Sequence, residues 1–204
     1  AMTLAGFADE VSTSAPTPGG GSVAALNGSL AAGLVAMVAA LTHGKKGLEE
    51  LRPQLEQLGV AAQELKEWYL GAVDRDTAAF NAVMAAMRLP RKTAEEVVAR
   101  DAAIAAANLG AATVPLEVLE RVPLLLALTL AAARDGSPSS VSDVGVAAAC
   151  AAAAAEGASL NVRINLPGIA ASEDLVARHD AALAAARDLA TAVLDTVKAR
   201  LDGG

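Results

Sequence analysis

The sequence predicts an all-α protein, a helical bundle packed around one buried central helix. Three observations carry this expectation. Hydrophobic residues make up 54% of the chain but aromatic residues only 2%, so the core is built from Ala, Leu and Val. Alanine, the best helix former and one of the smallest side chains, favours many helices packed at close range. Two long segments space their apolar residues alternately by three and four, which marks a single helix stripe. Only "NVRINLPG" (Asn161 to Gly168) looks strand-like, and it is too short and solitary to build a sheet.

In chain order, a short helix is expected over Thr3 to Thr13. The turn "PTPGGGS" (Pro16 to Ser22) then leads into a run, Ser22 to Thr42, without one charged side chain. That run is long enough to span a bilayer. It is nevertheless rich in Ala and Gly, contains Asn27 and Ser29, has no aromatic anchors, and follows Asp9 and Glu10 rather than a basic flank. A helix apolar all round is instead read as a core helix buried on every side. It ends near "THGKKG", where Gly44 and Gly47 are stop signals.

The next stripe runs through Leu48, Leu51, Leu55, Leu58, Ala62, Leu65, Tyr69 and Ala72, with Pro53 marking a kink or restart. It continues through Asp76, Ala79, Val83 and Ala86, which puts Asp76 on the buried seam while Asp74 faces elsewhere. "RLPRK" breaks the chain at Pro90, and "TAEE" (Thr93 to Glu96) reads as a capping box. Pro115 and Pro123 are expected to bend or divide the apolar region that follows. "RDGSPSS" reads as a loop, and "SVSD" (Ser140 to Asp143) as a second cap before an alanine helix. The last helix carries Val176, His179, Leu183, Ala186, Ala190, Val193 and Val197 at three-four spacing.

The 204 residues suffice for one domain over 1–204, and no linker, repeat or low-complexity tail divides them. Helices this rich in alanine bury little area each, so an obligate dimer or higher homo-oligomer is expected. The net charge of −7 argues against nucleic acid or an anionic membrane as partner. The single cysteine, Cys150, excludes an internal disulfide and a cysteine metal cluster, and fits a reduced, cytoplasmic setting. With only His43 and His179 present, no histidine metal centre is expected.

Two features invite chemistry. In the glycine turn, Ser22 is read as the cap of the central helix, while bare backbone there lets a ligand approach helix amides. "GGGS" is not a phosphate-binding loop, because no Gly-Lys-Ser/Thr follows. Asp76 needs a partner, a wet cavity or a proton if it sits on an apolar seam. Burial raises its pKa towards that of a neutral-pH proton donor, and the bland alternative is an ion pair with a neighbouring arginine. Lys45 and Lys46 suit a helix C-terminus and Asp143 a helix first turn. Arg163 and Asn165 have no such structural explanation. His179, on a stripe, is read as a satisfied interface histidine. No base is evident for a serine or cysteine nucleophile.

"PTPGGGSVAAL", "LTHGKKG", "DRDTAAFNAVMAAMRLPR", "SDVGVAA" and "GASLNVRINLPGI", in this order, resemble the cyclodeaminase/cyclohydrolase family of folate enzymes over nearly the whole chain. The resemblance implies a dimerising all-helical subunit, folate bound in a cleft near the subunit interface, and no metal or further cofactor. It implies a catalytic role for Asp76, second acid of "D-x-D-x-x-x-F", and for Lys45 of "GKK". It also implies substrate contacts from Pro18, Gly19, Gly20, Gly21 and Ser22 in the turn, and from Phe80, Asp143, Arg163 and Asn165. One departure stands out: members often carry "GN" before "SD", where this chain has Gly136-Ser137-Pro138. The anionic glutamate tail of a folate needs basic residues, for which Lys46, Arg88, Arg91, Lys92 and Arg163 are candidates on solvation grounds. The expected reaction is methenyltetrahydrofolate hydrolysis, because the chain stands without a formimidoyltransferase half. The alternatives are formimidoyltetrahydrofolate cyclodeamination with release of ammonia, and a non-catalytic folate-binding dimer.

Overall fold

The computed structural model describes residues 2–170 and 172–203. Among them are six α-helices and no strand: α1 (Leu4–Val11), α2 (Gly20–His43), α3 (Arg52–Met87), α4 (Ala94–Asp135), α5 (Val141–Asn165) and α6 (Glu173–Asp202). Short 3-10 turns, Glu49–Leu51 and Pro138–Ser140, lead into α3 and α5. Helix α2 packs against α3 on one side and α5 on the other, with α4 behind, and α6 closes the bundle against α4 and α5.

Local chemistry sets most of the boundaries. Thr3 caps α1 through a bond from the Gly6 amide, and Thr93 with Glu96 forms the expected capping box of α4. Pro53 falls in the first turn of α3, where its missing N–H costs nothing. The α3 stripe is buried as read, through Leu55, Leu58, Ala62, Leu65, Tyr69 and Ala72.

Four expectations are corrected. Helix α4 runs undivided through Pro115 and Pro123 over 42 residues, because packing on α3, α5 and α6 outweighs two lost backbone bonds. "NVRIN" is no strand: Asn161 to Asn165 form the last turn of α5, since an alanine helix already propagating extends at little cost. That helix stops before Pro167 and Gly168, which takes φ 88°. Ser140 stands at the start of α5 but makes no side-chain cap bond, because the 3-10 turn feeds straight into the helix. Finally, α2 is not buried on every side. Leu30, Met37 and Leu41 are exposed along one face, with Gly33 and Leu34 half-buried between them. By length and composition, α2 and the Pro138–Asn165 segment would also suit a bilayer, but about half of each apolar stretch is buried within this bundle.

Helices α2 and α3 approach closely at Gly28, where a Cβ would lie 2.7 Å from two ring carbons of Tyr69. Tyr69 is fully buried and its hydroxyl donates to the Val118 carbonyl, so the ring has nowhere to retreat. Gly28→Ala is expected to cost about 1–3 kcal/mol through overpacking. Urea unfolding should show a lower midpoint with an unchanged slope. An unshifted midpoint would mean that the two helices part freely.

Candidate functional site

The first turn of α2 begins with glycines and has no side-chain cap; its N-cap is Gly19. Ser22 is therefore not the cap expected from the sequence. It lies inside the helix, and its hydroxyl donates to Asp76 Oδ2 at 2.8 Å across the α2–α3 seam. The Ser22 amide also favours the charged form of that carboxylate, so Asp76 brings from α3 a negative charge to a helix end without a side-chain cap. Gly21 is what allows the approach: a Cβ there would lie 2.1 Å from Asp76 Oδ1.

Burial pushes the Asp76 carboxyl above the usual range, and the hydroxyl and amide of Ser22 only partly oppose it. No ion pair involves Asp76 among the described residues, so the arginine partner considered as its bland explanation is not there. Asp76 forms part of the wall of a cavity of about 310 Å³ between the ends of α2, α3, α4 and α5. Gly19, Gly20, Gly21, Phe80 and Asn165 share that wall, as the sequence led us to expect. Pro18 adjoins it through a cis Thr17–Pro18 bond.

Asn165 is positioned by a proline. Pro115 has no N–H to offer Ala111, and the orphaned Ala111 carbonyl instead accepts from Asn165 Nδ2 at 3.0 Å. The same amide donates to the Asn161 carbonyl at 2.8 Å, and Asn161 Nδ2 donates to the Gly157 carbonyl. With both amide nitrogens engaged in this way, the two carboxamides have acceptor oxygens to spare. Asn108, Asn161, Ile164 and Val83 line the cavity but were missed in the sequence. Asn161 and Asn165 are four apart, one face of a helix, a signal hidden by reading that stretch as extended. Asn108 carries no pattern at all.

Lys45 and Asp143 are not brought to Asp76 within one chain. Ser22 and Lys45 stand 23 residues apart along α2, about 34 Å at helical rise. Lys45 Nζ donates to the hydroxyls of Ser137 and Ser139, and Thr42 Oγ1 accepts from the Ser137 amide. Ser137, the departure noted in the sequence, thus holds this lysine together with Ser139. Asp143 lies in the first turn of α5, at the same distant end. Arg163 is exposed beside the cavity without lining it, and Lys46, Arg88, Arg91 and Lys92 are all exposed. A larger open groove of about 670 Å³ follows the C-terminal half of α2, between Ala36, Ala40 and His43 and the α3 residues Gly59, Val60 and Gln63.

A serine does find a base, contrary to expectation: Ser159 Oγ lies 2.8 Å from His179 Nε2, and His179 Nδ1 lies 2.8 Å from Asp180 Oδ1. With Ser159 at 4% and His179 at 5% exposure, that pair is sealed between α5 and α6 and reaches no cavity, while Asp180 lies at the surface. His179 is satisfied within its own chain. Among the described residues, no three His, Cys, Asp or Glu side chains converge.

The family model described as formiminotransferase-cyclodeaminase matches residues 3–185. The chain is 37% identical to a methenyltetrahydrofolate cyclohydrolase of Methylorubrum extorquens over 98% of both lengths. It is 35% identical to the formimidoyltransferase-cyclodeaminase of Mus musculus over 80% of this chain, but spans only 30% of that protein. The crystal structure of formiminotetrahydrofolate cyclodeaminase from Thermotoga maritima superposes with a TM-score of 0.86 at 28% identity, covering 97% of this chain and 96% of that one.

Proposed function

The chain belongs to the formiminotransferase-cyclodeaminase family, and from that premise we propose that it is a methenyltetrahydrofolate cyclohydrolase yielding 10-formyltetrahydrofolate. The observation that carries this reading is Asp76, a half-buried carboxylate without a cation, its pKa raised by burial, in the wall of a cavity rich in glycine and asparagine. The relative matched along 98% of both lengths bears that name, which favours hydrolysis over deamination.

In this reading, water adds to the cationic methenyl carbon while the Asp76 carboxylate takes its proton. Asp76 then returns a proton to N5 as the carbon–N5 bond breaks, and the carbon stays on N10 as a formyl group. The second water proton leaves to solvent, which balances the step. A carboxylate whose pKa is raised by burial is a stronger base than one in water. The Ser22 bond holds Oδ2 and keeps the group oriented. The chemistry uses no metal and no cofactor beyond the substrate.

Lys45 and Asp143 join this chemistry through a second copy of the chain. Two α2 helices crossing antiparallel at the Gly33–Leu34 midpoint bring the partner's Lys45 opposite Ser22. What supports this homodimer is the exposed uncharged stripe of Leu30, Met37 and Leu41, which spans that midpoint. Met37→Glu should give a monomer in sedimentation and lose most turnover, because it buries a charge in the seam; a fully active dimer would exclude this interface. With Cys150 a free thiol, the proposal also places the enzyme in a reduced, cytoplasmic compartment.

The test is loss of methenyltetrahydrofolate absorbance in buffer containing EDTA, corrected for spontaneous hydrolysis. A rate well above the blank and unmoved by EDTA is expected. A rate equal to the blank would reject hydrolysis. The cyclodeaminase reading, favoured by the Thermotoga maritima structure, predicts ammonia from formiminotetrahydrofolate instead. Absence of both activities would leave a folate-binding dimer.

A further inference from the structure

One group of cations lies outside everything assigned above. Arg121 of α4 and Arg75 of α3 both stack on Trp68, with guanidinium carbons 3.7 and 4.5 Å from the ring centroid. The indole is held edge-on against the buried Tyr69 at 5.3 Å, so the platform is rigid. Neither arginine forms an ion pair among the described residues, whereas Arg178 and Arg187 each hold a glutamate in a two-bond clasp. Arg121 donates to the Glu117 carbonyl and Arg75 to the Trp68 carbonyl, which leaves most of their ten N–H groups unused. Two like charges on one ring, in a protein of net charge −7, are an incomplete arrangement that an anion would complete.

The pair also lies along the seam that leads from the cavity. Helices α3 and α4 run antiparallel, with Tyr69 meeting Val118 and both Asp76 and Ala111 in the cavity wall. Trp68 is eight residues back from Asp76, about 12 Å along α3. A γ-linked glutamate has two more carbons in each repeat than an α-linked residue, which spans about 3.3–3.6 Å, so three of them cover that distance. Resting on the folate reading above, we propose that Arg75 and Arg121 bind the carboxylates of the substrate's glutamate tail, with Trp68 as the plate that fixes both forks. None of the three was among the basic residues singled out from the sequence.

Trp68 is the sole tryptophan, so its fluorescence reports directly on this site. Titration with γ-linked triglutamate should give a saturable change, and Arg121→Gln and Arg75→Gln should each weaken it about tenfold. Inorganic phosphate, run in parallel, should bind more weakly; tighter binding of phosphate would overturn the assignment to a carboxylate tail. In turnover, Arg121→Gln should raise KM for triglutamyl substrate about tenfold at unchanged kcat, with little effect on the monoglutamyl form. Arg121→Lys, which keeps the charge, should fall between. No saturable signal, or the same binding in both glutamine variants, overturns the proposal. So does a variant that loses thermal stability without a change in affinity or KM. If the protein turns over no folate at all, the function reading fails, while the peptide titration still decides whether an oligocarboxylate binds here.

Discussion

Asp76→Asn should lower methenyltetrahydrofolate turnover by about 10²–10⁴, the range general acid–base catalysis commonly supplies. The amide keeps the size of the carboxyl and still offers an oxygen to Ser22, so the fold and the proposed second-copy interface should survive. Stability gives an independent check with a definite sign. A carboxyl whose folded pKa is raised binds more protons in the folded state than in the unfolded one, so stability falls as pH rises from the ordinary aspartate range through the raised value. Asp76→Asn removes that slope and should be at least as stable as the parent at pH 7. Activity of the parent should rise along the same pH limb as the base ionises. Near-normal turnover of the variant would remove Asp76 from the chemistry. Lost turnover together with a collapsed melting temperature would make it a structural residue instead.

Gly21→Ala should be nearly as damaging to turnover, for a geometric reason. A methyl at that position would meet Asp76 Oδ1 at 2.1 Å, so the carboxylate must swing away and its bond to Ser22 must break or stretch. A displacement of about 1 Å at a reacting group can cost about 10² in rate. Alanine is otherwise a better helix residue than glycine, by about 0.8–1 kcal/mol in a helix interior, which offsets part of the strain. The expected signature is a kcat reduced about 100-fold with a midpoint of unfolding shifted little. Gly20→Ala is the control: a methyl there meets only the Asn161 amide at 3.3 Å, and its effect should be far smaller. Equal effects at the two glycines would mean that the turn serves backbone conformation rather than the carboxylate.

The division of candidate residues between the two ends of α2 explains how far a sequence reading can go. Helical phase put Asp76 on the buried seam because α3 is long and regular, and phase along one helix is a local property. The capping box at Thr93 was legible for the same reason, since both partners lie within one turn. Phase alone does not say what crosses the seam. That Asp76 takes the hydroxyl of Ser22, and that Lys45 is held by Ser137 some 34 Å away, are bonds between residues 54 and 92 positions apart.

The all-α class, most helix boundaries, the uncharged α2 and the buried phase of Asp76 were legible in the sequence, because propensity, caps and periodicity act over a few residues. Only the tertiary structure decided the rest. It carried α4 unbroken through two prolines, since packing on three neighbouring helices outweighs a local penalty of about 3 kcal/mol at each. It turned the freed Ala111 carbonyl into the anchor of Asn165, and it gathered Trp68, Arg75 and Arg121 from two helices onto one ring. Each of these depends on which helix faces which. That choice is made by the burial of the whole bundle, and no short stretch of sequence contains it.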